Sequence, residues 1–212
     1  MEEGLRKAAS VIVARDGADG LEVVVLERGG RSRFLPGYVA FPGGSVDAED
    51  AGLAERWFGT AAESARACAV RELLEEVGLA LTAGGLEESA DRTLEALSSP
   101  PTPDQLPEVA HWVAPSQVPV RFDARYFALE APAGLHLVPD GDETAAAWWE
   151  SPRELLEASR TGQRKLYWPT YFTVQAIAGC ERVDDLLAVR IDTREPDSDE
   201  VERLPRATFW QD

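Results

Sequence analysis

Apolar residues crowd the stretch Ala8–Ala14, three of them β-branched, before Asp16-Gly17 breaks the pattern. Leu21–Leu26 repeats it after Asp19-Gly20, and the two runs predict a pair of strands joined by a turn. Arg28–Pro36 is polar and rich in glycine and arginine, so it predicts a loop. Tyr38–Phe41 predicts a short strand, closed by a second loop at Pro42-Gly43-Gly44. The segment 45–60 reads as an insertion whose Trp57 and Phe58 would pack it back onto the domain. A helix should follow. Ser64 is a credible N-cap, Thr60 with Glu63 offers a capping box one turn earlier, and Gly78 supplies a stop.

Ala65, Ala69 and Leu73 give that helix a small-residue stripe, and Cys68 reads as a buried filler. Its other side is acidic. Glu72, Glu75 and Glu76 fall within an arc of roughly 100° at helical spacing. Like charges so close repel, unless a hard divalent cation uses their oxygens as ligands. A solvated acidic face would have the same spacing.

Further on, Leu86–Leu97 has helical spacing, and four prolines make 98–107 an irregular connection. Val109–Ala114 and Phe122–Leu129 predict strands around the bend at Pro115–Pro119. An acidic turn at Asp140-Gly141-Asp142-Glu143 precedes the apolar run Ala145–Trp149. Ser151 with Pro152 should open a helix ending near Gly162, and Pro169–Ala178 predicts a last one. The acidic tail from about 192 to 212 predicts little order of its own, apart from Phe209-Trp210 as an anchor. Strands, helix, more strands and final helices describe an α+β or three-layer α/β/α domain with a mixed sheet. At 212 residues, one domain over 1–212 is the natural division.

Composition then narrows the function. With 21 basic against 38 acidic residues, the net charge of −17 argues against nucleic acid or an acidic membrane as partner. Two cysteines make no disulfide framework, and the two histidines, His111 and His136, read as surface or packing residues. No secretory leader or membrane-length apolar run is visible, so a cytoplasmic setting is the expectation. Oligomeric state is left open between monomer and homodimer.

The helix segment resembles the signature of the Nudix hydrolases, G-x5-E-x7-R-E-U-x-E-E-x-G-U with U aliphatic. Glu63, seven residues and then Arg71-Glu72-Leu73-Leu74-Glu75-Glu76-Val77-Gly78-Leu79 match its second half. The first half departs: Trp57 stands where the box wants glycine, and the glycine pair lies upstream at Gly43-Gly44. The resemblance implies a Nudix α/β/α sandwich and Mg²⁺ or Mn²⁺ held by Glu72, Glu75 and Glu76. It also implies a further ligand from the Gly43 or Gly44 carbonyl. Glu63, Arg71 and Gly78 would be structural, the first two paired. The general base would be a helix glutamate or an acid on a distant loop, with Asp142 and Glu143 the candidates. Its reaction is hydrolysis of a phosphoanhydride in a nucleoside diphosphate derivative.

Upstream, Arg28-Gly29-Gly30-Arg31-Ser32-Arg33-Phe34-Leu35-Pro36-Gly37-Tyr38-Val39-Ala40-Phe41-Pro42-Gly43-Gly44 is similar to the signature of the coenzyme A diphosphatases, R-[SA]-x3-R-x3-G-x3-F-P-G-G. Gly29 replaces its Ser or Ala. Trp112–Pro115 and Arg121–Phe127 also look like a long-insert branch of that group. This resemblance implies Arg28, Arg33, Gly37 and Phe41 as substrate-binding residues, with CoA or acyl-CoA cleaved to phosphopantetheine and 3′,5′-ADP. A guanidinium can clamp phosphate in two-pronged fashion, which is its physical basis. An ADP-ribose or dinucleotide pyrophosphatase, and a Nudix-fold sensor that binds nucleotide without cutting it, are the competing expectations.

Overall fold

A computed structural model describes residues 5–32, 34–93, 97, 99–114 and 121–193. The first strand organises the rest. β1 (Leu5–Gly17) pairs antiparallel with β2 (Gly20–Arg28) through its second half, Ala14 facing Val23. Through its first half it pairs with β4 (Gly43–Ser45), Ser10 facing Gly43. On its other edge it runs parallel to β8 (Arg121–Glu130). β3 (Val39–Ala40) and β9 (Thr144–Glu150) both pair with β2, and β7 (Glu108–Val113) pairs with β8. The result is a mixed seven-stranded sheet.

Alternation along β1 feeds two cores. Ala9, Val11 and Val13 join Val24 and Leu26 against α2 (Ser64–Val77). Ile12 and Ala14 join Val23 and Val25 against α3 (Pro152–Arg160) and α4 (Trp168–Ile177). A strand covered on both faces needs an unbroken apolar run, which is what Val11–Ala14 provides. Helices on both faces of a mixed sheet make the expected α/β/α arrangement. A short α5 (Val183–Ala188) closes the second layer.

Three elements differ from the sequence reading. Gly43 and Gly44 lie in strand β4 rather than a loop, because Ser10 and Ala9 of β1 offer them a ladder. The helix expected from Leu86 is instead a hairpin, β5 (Leu79–Thr82) with β6 (Gly85–Glu88). Its turn explains the error: Gly85 takes φ 114° and Thr82 Oγ1 bonds the Gly85 carbonyl, so Gly84-Gly85 reverses the chain. Residues 94–96 of the expected helix lie outside the described residues. Finally, the insertion folds as a helix of its own, α1 (Ala48–Phe58). Leu53 and Ala54 of α1 pack on Ala67 of α2, with Trp57 and Phe58 against them. The insertion does pack back, as expected.

Ser64, the expected cap, is instead the first residue of α2, with Glu63 at the cap position, and Thr60 caps a short 3-10 turn at Ala61–Glu63. Gly78 ends it at φ 70°, the left-handed region that a helix stop requires. The tail from 194 and the bend at 115–120 lie outside the described residues.

Candidate active site

Arg71 is the hub of the acidic helix face. Its side chain is 5% exposed, and its Nε and Nη2 donate to Asp50 Oδ1 and Oδ2 at 2.9 and 3.1 Å. Asp50 is fully buried. Nη2 also reaches the Ser45 carbonyl at 3.3 Å, so one guanidinium ties α1, β4 and α2 together. Nη1 donates to Glu72 Oε1 at 2.8 Å and to Glu75 Oε2 at 3.0 Å. Burial by itself would lower the Arg71 pKa, but the Asp50 hydrogen bond and the Glu72 charge hold it above the ordinary range.

The expected Arg71–Glu63 pair does not form. Glu63 bonds Arg66 one turn along, and Arg71 takes Asp50. The sequence carried a signal for this. Asp50 follows Gly44 by six positions, the spacing of glycine and glutamate in the box, with aspartate in place of glutamate. The extra residues therefore come after this acid, within 51–70, and not before the box acid as the 45–60 reading had it. Glu63 sits at the right sequence distance from Arg71, but its carboxylate is taken by Arg66 and the buried position beside Arg71 is filled by Asp50.

Glu76 is 5% exposed, and its Oε2 accepts the Gly43 N–H at 2.8 Å. Burial pushes its pKa up to about 8. The Glu72 charge adds to that rise, while the Gly43 N–H and Arg28 oppose it and Asp140 reinforces it. Glu72 is pushed up to about 7, again by burial first, with Arg71 opposing and Glu75 and Asp50 adding. Gly44 explains how Glu72 fits: a Cβ there would lie 2.3 Å from Glu72 Oε1. A Cβ at Gly43 would lie 2.2 Å from the Ala9 carbonyl oxygen. Gly43 is forced by fixed backbone, whereas at Gly44 the Glu72 carboxylate would have to move aside.

The three glutamates share a face yet do not form a closed cluster. Among the described residues no three acidic or imidazole groups are gathered as a metal set. Arg71 Nη1 stands between Glu72 and Glu75, and Glu76 is turned to Gly43. The donors still suit a hard cation. They are all oxygens, and Arg71 is one positive charge facing Asp50, Glu72 and Glu75. Glu76 is buried and Glu72 mostly so, and desolvation is the first cause of both raised pKa values.

The remaining expected residues are placed as follows. Arg28 bonds inward, its Nε to Ser32 Oγ and the Phe34 carbonyl and its Nη2 to Ser32 Oγ. It lies close enough to Glu76 to lower that group's pKa. Gly37, at φ 74°, returns the loop so that its N–H meets the Arg28 carbonyl at 2.8 Å. Phe41 is buried with its ring edge-on to Tyr126. Arg33 lies outside the described residues. Glu143 is exposed, and its backbone serves the turn by accepting the Gly29 N–H at 2.7 Å. Asp142 is held by Arg31. The acid of that turn that bears on Glu76 is Asp140, whose N–H donates to the Glu76 carbonyl at 3.2 Å. Cys68 is buried, its Sγ 3.4 Å from the Ser45 carbonyl, and burial pushes its pKa up, so it is an inert filler.

Beside this face opens a cleft of roughly 180 Å³, which the sequence did not reveal. Phe34, Phe41, Trp112, Phe122, Tyr126 and Tyr167 supply aromatic walls from five separate segments. At its floor the buried Tyr126 hydroxyl bonds Thr170 and Ser10, and burial raises its pKa to about 12. Gly43, Gly44 and Ser45 form the wall shared with the carboxylates. With no side chains on the glycines, β4 is a partition one backbone thick.

A sequence model of the NUDIX domain matches residues 4–168. A relative in Caenorhabditis elegans, named "Putative nudix hydrolase 7", is 27% identical over 188 residues, 82% of this chain. The match spans 60% of that relative's length. Among solved structures, a NUDIX hydrolase from Alicyclobacillus acidocaldarius superposes with a TM-score of 0.77 at 28% identity, covering 91% of this chain and 100% of that one. The NUDIX domain of Shewanella oneidensis NrtR, solved with ADP ribose, shares the fold at a TM-score of 0.50 and 10% identity, covering 82% and 86%. The family match takes in the sheet, the glycine strand and the acidic helix, and the chain belongs to the NUDIX family.

Proposed function

We propose that this chain hydrolyses a phosphoanhydride in a nucleoside diphosphate linked to a second moiety. The substrate is CoA or an acyl-CoA, and the products are phosphopantetheine (or its acyl form) and 3′,5′-ADP. The observation that carries this reading is the shared wall: Gly44 touches Glu72 on one side and lines the aromatic cleft on the other. A diphosphate at the carboxylates thus leaves its attached nucleoside within reach of Phe34, Phe122 and Tyr167. An apolar aromatic slot with a few polar groups at its floor suits a flat base with a polar edge.

Glu72, Glu75 and Glu76, with the Gly43 carbonyl, would hold Mg²⁺ or Mn²⁺. When bound, such a cation neutralises phosphate oxygens and lowers the pKa of a coordinated water. The chain's own residues prepare the face. Asp50 fixes Arg71, Arg71 aligns Glu72 and Glu75, and the Gly43 N–H aims Glu76. Arg28, beside Glu76, meets the diphosphate. We assign the general base to an α2 carboxylate rather than to Glu143, because Glu72 backs onto the cleft wall. The similarity of Arg28–Gly44 to the coenzyme A diphosphatase signature supports CoA within the class.

The test is a panel of CoA, dephospho-CoA, ADP-ribose and NADH with Mg²⁺ or Mn²⁺, scored for phosphate-containing products. CoA should give the highest kcat/KM and release 3′,5′-ADP. Preference for ADP-ribose or NADH would move the reading to a pyrophosphatase of those compounds. Binding without any product would make the domain a nucleotide sensor.

A further inference from the structure

The CoA reading needs a group that recognises the 3′-phosphate, a dianion away from the cleaved bond. The arginine loop was the expected source, but its described arginines are engaged. Arg28 spends Nε and Nη2 on Ser32 and Phe34, and Arg31 pairs with Asp142. Against the strand that ends this loop, the connection between α3 and α4 carries Arg164 and Lys165. Arg164 is committed to Glu27 at 3.7 Å and to the face of Trp148.

Lys165 is different. Its backbone is clamped to the sheet, since the Val39 N–H donates to its carbonyl at 2.8 Å and Leu166 bridges Val39. Its side chain is exposed, yet it has no carboxylate partner among the described residues of a chain with net charge −17. Nζ instead sits 5.8 Å from the centre of the Tyr38 ring. Tyr38 lines the cleft, as do Tyr167 and Trp168 just after Lys165. A cation held over an aromatic face loses part of its rotamer freedom before any ligand arrives, and its charge stays uncommitted. A fixed backbone, a partly ordered ammonium and a cleft wall as neighbour are what an anion-recognising group at the rim requires.

We propose that Lys165 binds the phosphomonoester of a ligand whose nucleoside occupies the aromatic cleft, and so selects 3′-phosphorylated nucleotides. This rests on the proposed placement of the nucleoside, but not on turnover. Calorimetric titration with 3′,5′-ADP and with 5′-AMP, on wild type, Lys165→Ala, Lys165→Arg and Arg31→Ala, tests it. Wild type should bind 3′,5′-ADP about tenfold or more tightly than 5′-AMP, the scale of one charge-assisted contact. Lys165→Ala should erase that preference while leaving 5′-AMP affinity and the melting temperature unchanged. Lys165→Arg should keep part of it, and Arg31→Ala all of it. Equal binding of both nucleotides by wild type, binding of neither, or equal weakening of both by Lys165→Ala would overturn the assignment. Failure of CoA hydrolysis with the 3′,5′-ADP preference intact would remove the catalytic reading and leave Lys165 standing.

Discussion

Replacing Asp50 with Asn should destabilise the protein by about 3 kcal/mol, far more than its position in a surface insertion would suggest. The figure follows from the pair it breaks. Asp50 is fully buried, the Arg71 side chain is 5% exposed, and two parallel hydrogen bonds of 2.9 and 3.1 Å join them. Removing one partner of a buried pair costs roughly 3–5 kcal/mol, because the other charge is left without compensation. Glu72 and Glu75 still face Nη1, which places the cost at the lower end. Asp50→Ala should cost about 1 kcal/mol more, since Asp50 Oδ2 also accepts the Asp47 N–H at the start of α1. In urea, with a slope of about 2 kcal/mol/M, the Asn variant's midpoint should fall by roughly 1.5 M. Glu63→Gln is the control. Glu63 is about one-third exposed, and the more buried Arg66 keeps the Leu106 carbonyl and the Phe127 ring as partners, so the loss should stay under about 1 kcal/mol. If Glu63→Gln cost as much as Asp50→Asn, the box acid would be Glu63 after all and the pairing described here would be wrong.

Gly44→Ala should leave stability nearly unchanged but lower kcat about 100-fold. The new Cβ, 2.3 Å from Glu72 Oε1, pushes that carboxylate by about 1 Å, a displacement of the size that costs catalysis two orders of magnitude. Unchanged kcat and unchanged metal requirement would dissociate Glu72 from the reaction. A second expectation concerns pH. Glu72 and Glu76 have pKa values raised from 4.5 to about 7 and about 8, so in chelator the folded state holds protons that the unfolded chain has released. Their contribution is therefore fully present below about pH 4.5 and is lost as pH rises through about 7 and 8. A divalent cation takes the place of those protons, so Mn²⁺ should raise the melting temperature more at pH 8 than at pH 6. An equal or larger gain at pH 6 would contradict it.

What the chain reveals on inspection is what local chemistry decides. The apolar run Val11–Ala14, the Ser151-Pro152 helix start and the Gly78 stop are set by neighbours in sequence, and all three took the expected form. Gly43 and Gly44 stood out as a pair, but their reason did not, because the groups they admit, Ala9 and Glu72, are distant in sequence. Asp50 was hidden by a coincidence: Glu63 occupies the matching interval before Arg71, while the residue that binds Arg71 sits in the first turn of α1, 21 positions earlier. The aromatic cleft was illegible for a plainer reason. Phe34, Phe41, Trp112, Phe122 and Tyr167 belong to five segments, and only the sheet order brings them together.

The central claim is that the α2 carboxylates hold the cation through which a phosphoanhydride is cut. Its most direct test is the steady-state rate of CoA hydrolysis at saturating Mn²⁺ for wild type, Glu75→Gln and Glu76→Gln, with folding checked by circular dichroism. Each substitution should lower kcat by a factor of 100 or more while the fold is retained. A near-wild-type rate from either folded variant would contradict the account.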